Sequence, residues 1–259
     1  MALLLGLLWG LQLLAGYVIA TQGGLNGPQA AWWAALAAVV AFVPVLGLAH
    51  GLSLRSGQRP WTWLPPQRQP LWWWLGLLLS AMGGSLVLGA LSSALGLVWP
   101  MNGLQELMAK LAPARFSLAS LVLFGVVAPL TEESLFRGYF LGSATLRYGR
   151  LPAIFLTASL FAVAHGNPWQ GIPALIAGVY LAAVVPRGGL VSALAAHALF
   201  NVFPLLLRWG GFEIPGINDF STVIPPFPWL FTGCLLLGGG LTLGLLVTQK
   251  IPKESSSAG

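Results

Sequence analysis

The chain has 259 residues, 57% of them hydrophobic and 7% charged, with a formal net charge of +6 and a mean hydropathy of +0.82. A soluble domain carries about 25% charged residues, so a soluble globular core is excluded. The basic residues stand singly between apolar runs, with no basic cluster and no RNP-like or zinc-finger pattern, which excludes a nucleic-acid-binding protein and reads instead as membrane topology.

Apolar runs measured against the ~20 residues that cross a bilayer predict about eight transmembrane helices, near 2–20, 30–51, 71–98, 116–146, 151–166, 170–186, 190–208 and 227–248. The fold class expected is all-α, a polytopic membrane protein. The first run has no Lys or Arg ahead of it and is followed by further spans, so it reads as a retained span rather than a signal peptide. Trp32, Trp33, Trp61, Trp63 and Trp72–Trp74 flank span ends, as interfacial aromatics do, and His50 at the end of the second span reads the same way. Between the third and fourth spans, residues 101–112 place Leu104, Leu107, Met108 and Leu111 at helical spacing opposite Glu106 and Lys110. That pattern is an amphipathic helix in the interface, or a lid over a site. The fifth and sixth runs are short enough for one to be tilted, broken or only partly crossing. Cys234 in the last span reads as a packing residue, and the serine-rich tail, 249–259, as disordered.

With both termini in the cytoplasm, the inner segments hold Arg55, Arg59, Arg68, Arg147, Arg150, Arg187, Lys250 and Lys253, whereas the outer ones hold Lys110, Arg115 and Arg208. Because Lys and Arg resist translocation, this asymmetry predicts cytoplasmic termini, in a plasma membrane or another inner membrane.

The chemistry lies in the polar residues that a bilayer should exclude. An ionised side chain at bilayer depth costs roughly 2.5–3.5 kcal/mol even on the lenient insertion scale, yet the fourth run contains Thr131-Glu132-Glu133-Ser134-Leu135-Phe136-Arg137. Glu133 and Arg137 are four apart, which predicts an intrahelical ion pair. Glu132 is turned about 100° from Glu133 and is left free to act as a general base. The alternative is that both acids brace Arg137 or line a polar channel. His165 ends the fifth run, with Phe161 one turn before it as a wall for the ring and Gly166-Asn167-Pro168 stopping the helix. His197 and Asn201 present an imidazole and an amide on one face of the seventh run. Counting helix rise from the cytoplasmic loop places Glu132 and His165 each about 21 Å deep, with Asn201 expected nearer that level than His197.

Glu-Glu-x-x-x-Arg at 132–137, Phe-x-x-x-His at 161–165 and His-x-x-x-Asn at 197–201, in that order on apolar spans, closely resemble the CPBP family, the CAAX-protease and bacteriocin-processing (Abi) proteins that include the Ras-converting CAAX endopeptidases. The resemblance covers about 116–208. It divides the chain into N-terminal spans with the amphipathic segment (1–115), a catalytic core (116–208), a loop with the last span (209–248) and the tail (249–259).

The resemblance implies an intramembrane endopeptidase that hydrolyses a peptide bond of a membrane-associated protein or peptide. Two mechanisms follow from it. In one, Glu132 deprotonates a water, His165 holds or relays that water, and His197 with Asn201 donates hydrogen bonds to the oxyanion. In the other, a metalloprotease, Glu132, His165 and His197 bind Zn²⁺. The first is preferred, without a cofactor, because an amide suits an oxyanion and is a poor zinc ligand; Glu133, Arg137 and Phe161 then support the catalytic groups. Nothing in the sequence identifies a prenyl-binding groove. A His-Glu-x-x-His zinc motif, a rhomboid-type Gly-x-Ser-Gly and a pair of membrane aspartates are all missing, since Asp219, in a polar loop, is the only Asp. The rival readings are a transporter or channel with a Glu-Arg-His relay, and a non-catalytic scaffold or immunity-type protein.

Overall fold

A computed structural model describes residues 1–21, 29–56, 69–100 and 102–249. The described residues form eight helices and no strand: α1 (Ala2–Thr21), α2 (Ala30–Ser56), α3 (Leu71–Val98), α4 (Asn102–Leu111), α5 (Leu118–Tyr148), α6 (Arg150–Ala164), α7 (Pro168–Trp209) and α8 (Phe227–Gln249). Six of them, α1, α2, α3, α5, α7 and α8, are long and apolar enough to cross a membrane, and the protein is an all-α polytopic membrane protein. Arg59, Trp61, Trp63, Arg68, Lys250, Lys253 and the tail beyond residue 249 lie outside the described residues.

The eight apolar runs map onto seven helices because α7 carries two of them. It has 42 residues, and Gly189 inside it takes φ 69°, ψ −178°, a left-handed backbone that favours glycine. Three hydrogen bonds of 3.0 Å or less link the Gly178 carbonyl to Arg137, Arg137 to Glu133 and Glu133 to His197. An unbroken helix would hold residues 178 and 197 about 28 Å apart, so the chain folds back at Gly188-Gly189 into a hairpin of two limbs. The fifth run is α6, whose 15 residues rise about 22 Å, short of the ~30 Å hydrocarbon layer. It stops at His165, where Gly166 (φ 69°) turns the chain and the Asn167 side chain caps α7 by accepting from Gln170 N at 2.8 Å, with Pro168 next.

Small residues bring α8 against α3. A Cβ on Gly76 would stand 2.9 Å from the Gly240 carbonyl oxygen, and one on Gly233 3.0 Å from Leu86 Cβ, which is how membrane helices pack when the hydrophobic effect gives no preference for helix over lipid. Cys234 is exposed on α8. Trp32, Trp33 and Trp72 are exposed, as interfacial residues should be, but Trp73 is 6% exposed and donates its indole N–H to Ser192 Oγ at 3.2 Å. It is a core residue, because its polar atom found a partner inside the bundle.

The amphipathic segment is α4. Leu111 is buried, Leu107 and Met108 pack with it against Ala30, Ala31, Ala119 and Leu123, and Glu106 and Lys110 face outward. Met108 also lines a cavity of about 280 Å³.

Candidate active site

The residues of the three motifs come from α5, the end of α6 and the second limb of α7. Helix α5 is not regular: Leu123–Val127 and Ser134–Phe140 are π-helical, a distortion frequent at functional sites. The acids stand between these two turns. Arg137 Nη1 donates to Glu133 Oε1 at 2.8 Å with both side chains fully buried, the ion pair that their spacing predicts. Arg137 Nη2 donates to the Gly178 carbonyl at 3.0 Å, and the guanidinium lies 4.4 Å over the Phe161 ring. A neutral acceptor and a π face thus supplement the carboxylate around a cation that has left water.

Glu133 also accepts from His197: Nδ1 stands 2.7 Å from Oε1. A carboxylate can only accept, so the Nδ1 position carries the hydrogen and Nε2 is turned away from Glu133. That Nε2 lies 3.8 Å from Glu132 Oε2, too far for a direct hydrogen bond and wide enough for one bridging water. Glu132 keeps 22% of its side chain exposed while Glu133 keeps none. Two adjacent glutamates therefore have different environments, one locked between Arg137 and His197 and one open.

Phe161 is the hub of the site. Its ring meets those of Phe136, His165 and His197 edge-on at 5.1, 5.0 and 5.8 Å. His165 Nδ1 donates to the Phe161 carbonyl at 2.9 Å, which fixes its tautomer in the same way and leaves its Nε2 uncommitted by that bond. Two cavities of about 280 Å³ each meet here. One is lined by His197, Asn201, Phe124, Trp169 and Gln170; the other by Glu132, Phe42, Phe136 and Gln12. Phe161 and His165 line both.

Asn201 is placed differently from the acids. Its Nδ2 donates to the Phe124 carbonyl at 3.1 Å, eight residues before Glu132, and it shares a cavity with His197 and His165 but not with Glu132. The expectation that Asn201 rather than His197 matches the level of the acids is reversed: His197 meets them. Seven π-helical residues between Glu133 and the end of α5 rise less per residue than an ideal helix, so the acids lie nearer the loop than a uniform rise implies. The zinc alternative requires Glu132, His165 and His197 around one ion. Among the described residues no three His, Cys, Asp or Glu side chains are grouped to hold a metal, so this donor set does not fit zinc as it stands.

Two contributors carry no motif. Gly178 brings its carbonyl to Arg137 only because α7 lies against α6 there: a Cβ on it would meet Ala158 Cα and Cβ at 3.1 Å and Arg137 Nη2 at 3.4 Å. Gln12 is a lone amide in an apolar helix that otherwise shows no motif, and that isolation is the sequence signal it carries.

Residues 114–203 match the model of the family described as Rce1-like, type II CAAX prenyl endopeptidase. That stretch contains all three motifs and bears out the resemblance they carry: over it, this chain is similar to the CAAX endopeptidase family. The UPF0177 protein YxdF of Lactococcus lactis subsp. lactis (strain IL1403) is 24% identical over 160 residues, 60% of this chain and 83% of that protein. No solved structure matches.

Proposed function

We propose that this protein is an intramembrane endopeptidase that cleaves a membrane-associated protein or peptide by water attack, with Glu132 as general base. The observation that carries the reading is the unequal pair: Glu133 is committed to Arg137 and His197, while Glu132 opens onto a cavity 3.8 Å from His197 Nε2. The scissile bond lies where the two cavities meet, beside Phe161 and His165. Glu132 takes a proton from the water as its oxygen attacks the carbonyl carbon. Protonated His197 donates Nε2–H to the developing oxyanion while Glu133 holds its Nδ1–H, and Asn201 donates the amide hydrogen not used by Phe124. The C–N bond then breaks, Glu132 returns its proton to the leaving nitrogen, and a carboxylic acid and an amine depart. His165 orients the water from the wall common to both cavities. No cofactor takes part, and the chain is oriented with its termini in the cytoplasm.

Purified protein in detergent tests this reading: cleavage of a quenched-fluorescence peptide by the native protein and none by Glu132→Gln is expected. Glu132-independent cleavage, or ion flux through the protein in liposomes with no cleavage, overturns it. Comparing membrane-protein termini in cells with the native and Glu132→Ala forms then identifies the substrate.

A further inference from the structure

Helix α1 lies outside the stretch that carries the motifs, yet it forms one wall of the site. Leu4, Leu5 and Leu8 are buried on it, packed with Phe42, Phe136, Phe140 and Phe161. The Trp9 indole N–H donates to the carbonyl of Ala164 at 3.1 Å, which ties α1 to the residue next to His165. Gln12 is four residues after Leu8 and three after Trp9, so it continues the same face, and it lines the cavity that holds Glu132 and His165. It is the only amide side chain in Ala2–Thr21, a stretch with no Asp, Glu, Lys, Arg or His. A primary amide in an apolar span is costly without a partner, and Gln12 has no hydrogen bond to another described residue.

We propose that Gln12 is a substrate-binding residue that holds the backbone of the cleaved peptide, extended, beside Glu132. This rests on the peptidase reading. A peptide drawn into the site must have a strand-like segment, which exposes N–H and C=O groups in turn, and at bilayer depth each needs a partner. Of the polar side chains lining that cavity, Glu132 and His165 serve the chemistry. Gln12 alone offers a donor and an acceptor together, the complement of a peptide group. Being neutral, it does this without placing a second charge beside Glu132. The substrate class that follows is an extended main chain, recognised there by its backbone rather than by a charged side chain.

The test uses the full-length protein in detergent and the best-cleaved member of a quenched-fluorescence library of apolar octapeptides. Gln12→Leu is expected to raise KM about tenfold, the scale of one or two lost hydrogen bonds, with kcat within about threefold and an unchanged thermal midpoint. Replacing one substrate peptide bond at a time by an ester removes its N–H; one position should raise KM for the native protein and have no effect on Gln12→Leu. Unchanged KM in Gln12→Leu, or a fall in kcat alone, overturns the proposal while Glu132-dependent cleavage leaves the peptidase reading standing. Absence of Glu132-dependent cleavage overturns both. If Gln12→Leu fails to fold, the ester series on the native protein decides: a flat KM across all positions overturns the proposal.

Discussion

His197 Nδ1 and Glu133 Oε1 lie 2.7 Å apart across 64 residues of sequence, and the same oxygen accepts from Arg137 at 2.8 Å. One carboxylate oxygen thus joins α5 to the second limb of α7, while the guanidinium it holds joins α5 to the first limb through Gly178. Charge balance and helix assembly depend on the same atoms, while Glu132 stands 3.8 Å from His197 Nε2 with no short hydrogen bond between them.

Removing Arg137 leaves Glu133 as a buried anion with His197 as its hydrogen-bonded partner among the described residues. Arg137→Ala should destabilise the fold by about 3–5 kcal/mol, as orphaned buried charges do, and lower the yield of folded protein as well as activity. Thermal unfolding in detergent measures this, and a fully active Arg137→Ala protein with native stability would contradict it.

Glu132 approaches His197 only at 3.8 Å and takes no part in the Glu133–Arg137 pair, so Glu132→Gln should abolish turnover and leave the thermal midpoint nearly unchanged. Side-by-side activity and unfolding measurements check the separation. Retained turnover would remove Glu132 from the base role.

Asn201→Ala should reduce kcat by about 10²–10³, the cost of one oxyanion donor, with a stability loss near 1 kcal/mol for the lost bond to the Phe124 carbonyl. The metal content of purified active protein should be unaffected by this change. About one equivalent of zinc that tracks with activity and is lost in His165→Ala would overturn the metal-free mechanism while leaving the site where it is.

Gly178→Val should be more damaging than its position in an apolar helix suggests. Its side chain would enter the space held by Ala158 and the Arg137 guanidinium, parting α6 from α7 and weakening the bond to Arg137. A cost of about 1–3 kcal/mol, typical of overpacking, should appear in unfolding measurements, together with reduced activity. An unchanged midpoint would show that α6 and α7 separate freely there.

The sequence by itself determined what depends on neighbours along the chain. Run length against bilayer thickness yields the spans, since hydrocarbon demands about 20 apolar residues whatever the fold. The Glu133–Arg137 pair follows from helical spacing, because four residues on is always one turn up. The break at Gly188-Gly189 was legible as a loop between two apolar runs. Only the tertiary structure decided what depends on how the helices lie against one another. That Glu133 holds His197, that Asn201 turns to Phe124, that Trp73 is core and not interface, and that Gln12 lines the same cavity as Glu132 are relations between distant elements. They are set by local distortions such as the π turns of α5 and by close approaches such as Gly178 on Ala158, which no periodicity encodes, because helix depth and rotation in a bundle are fixed by packing rather than by hydropathy.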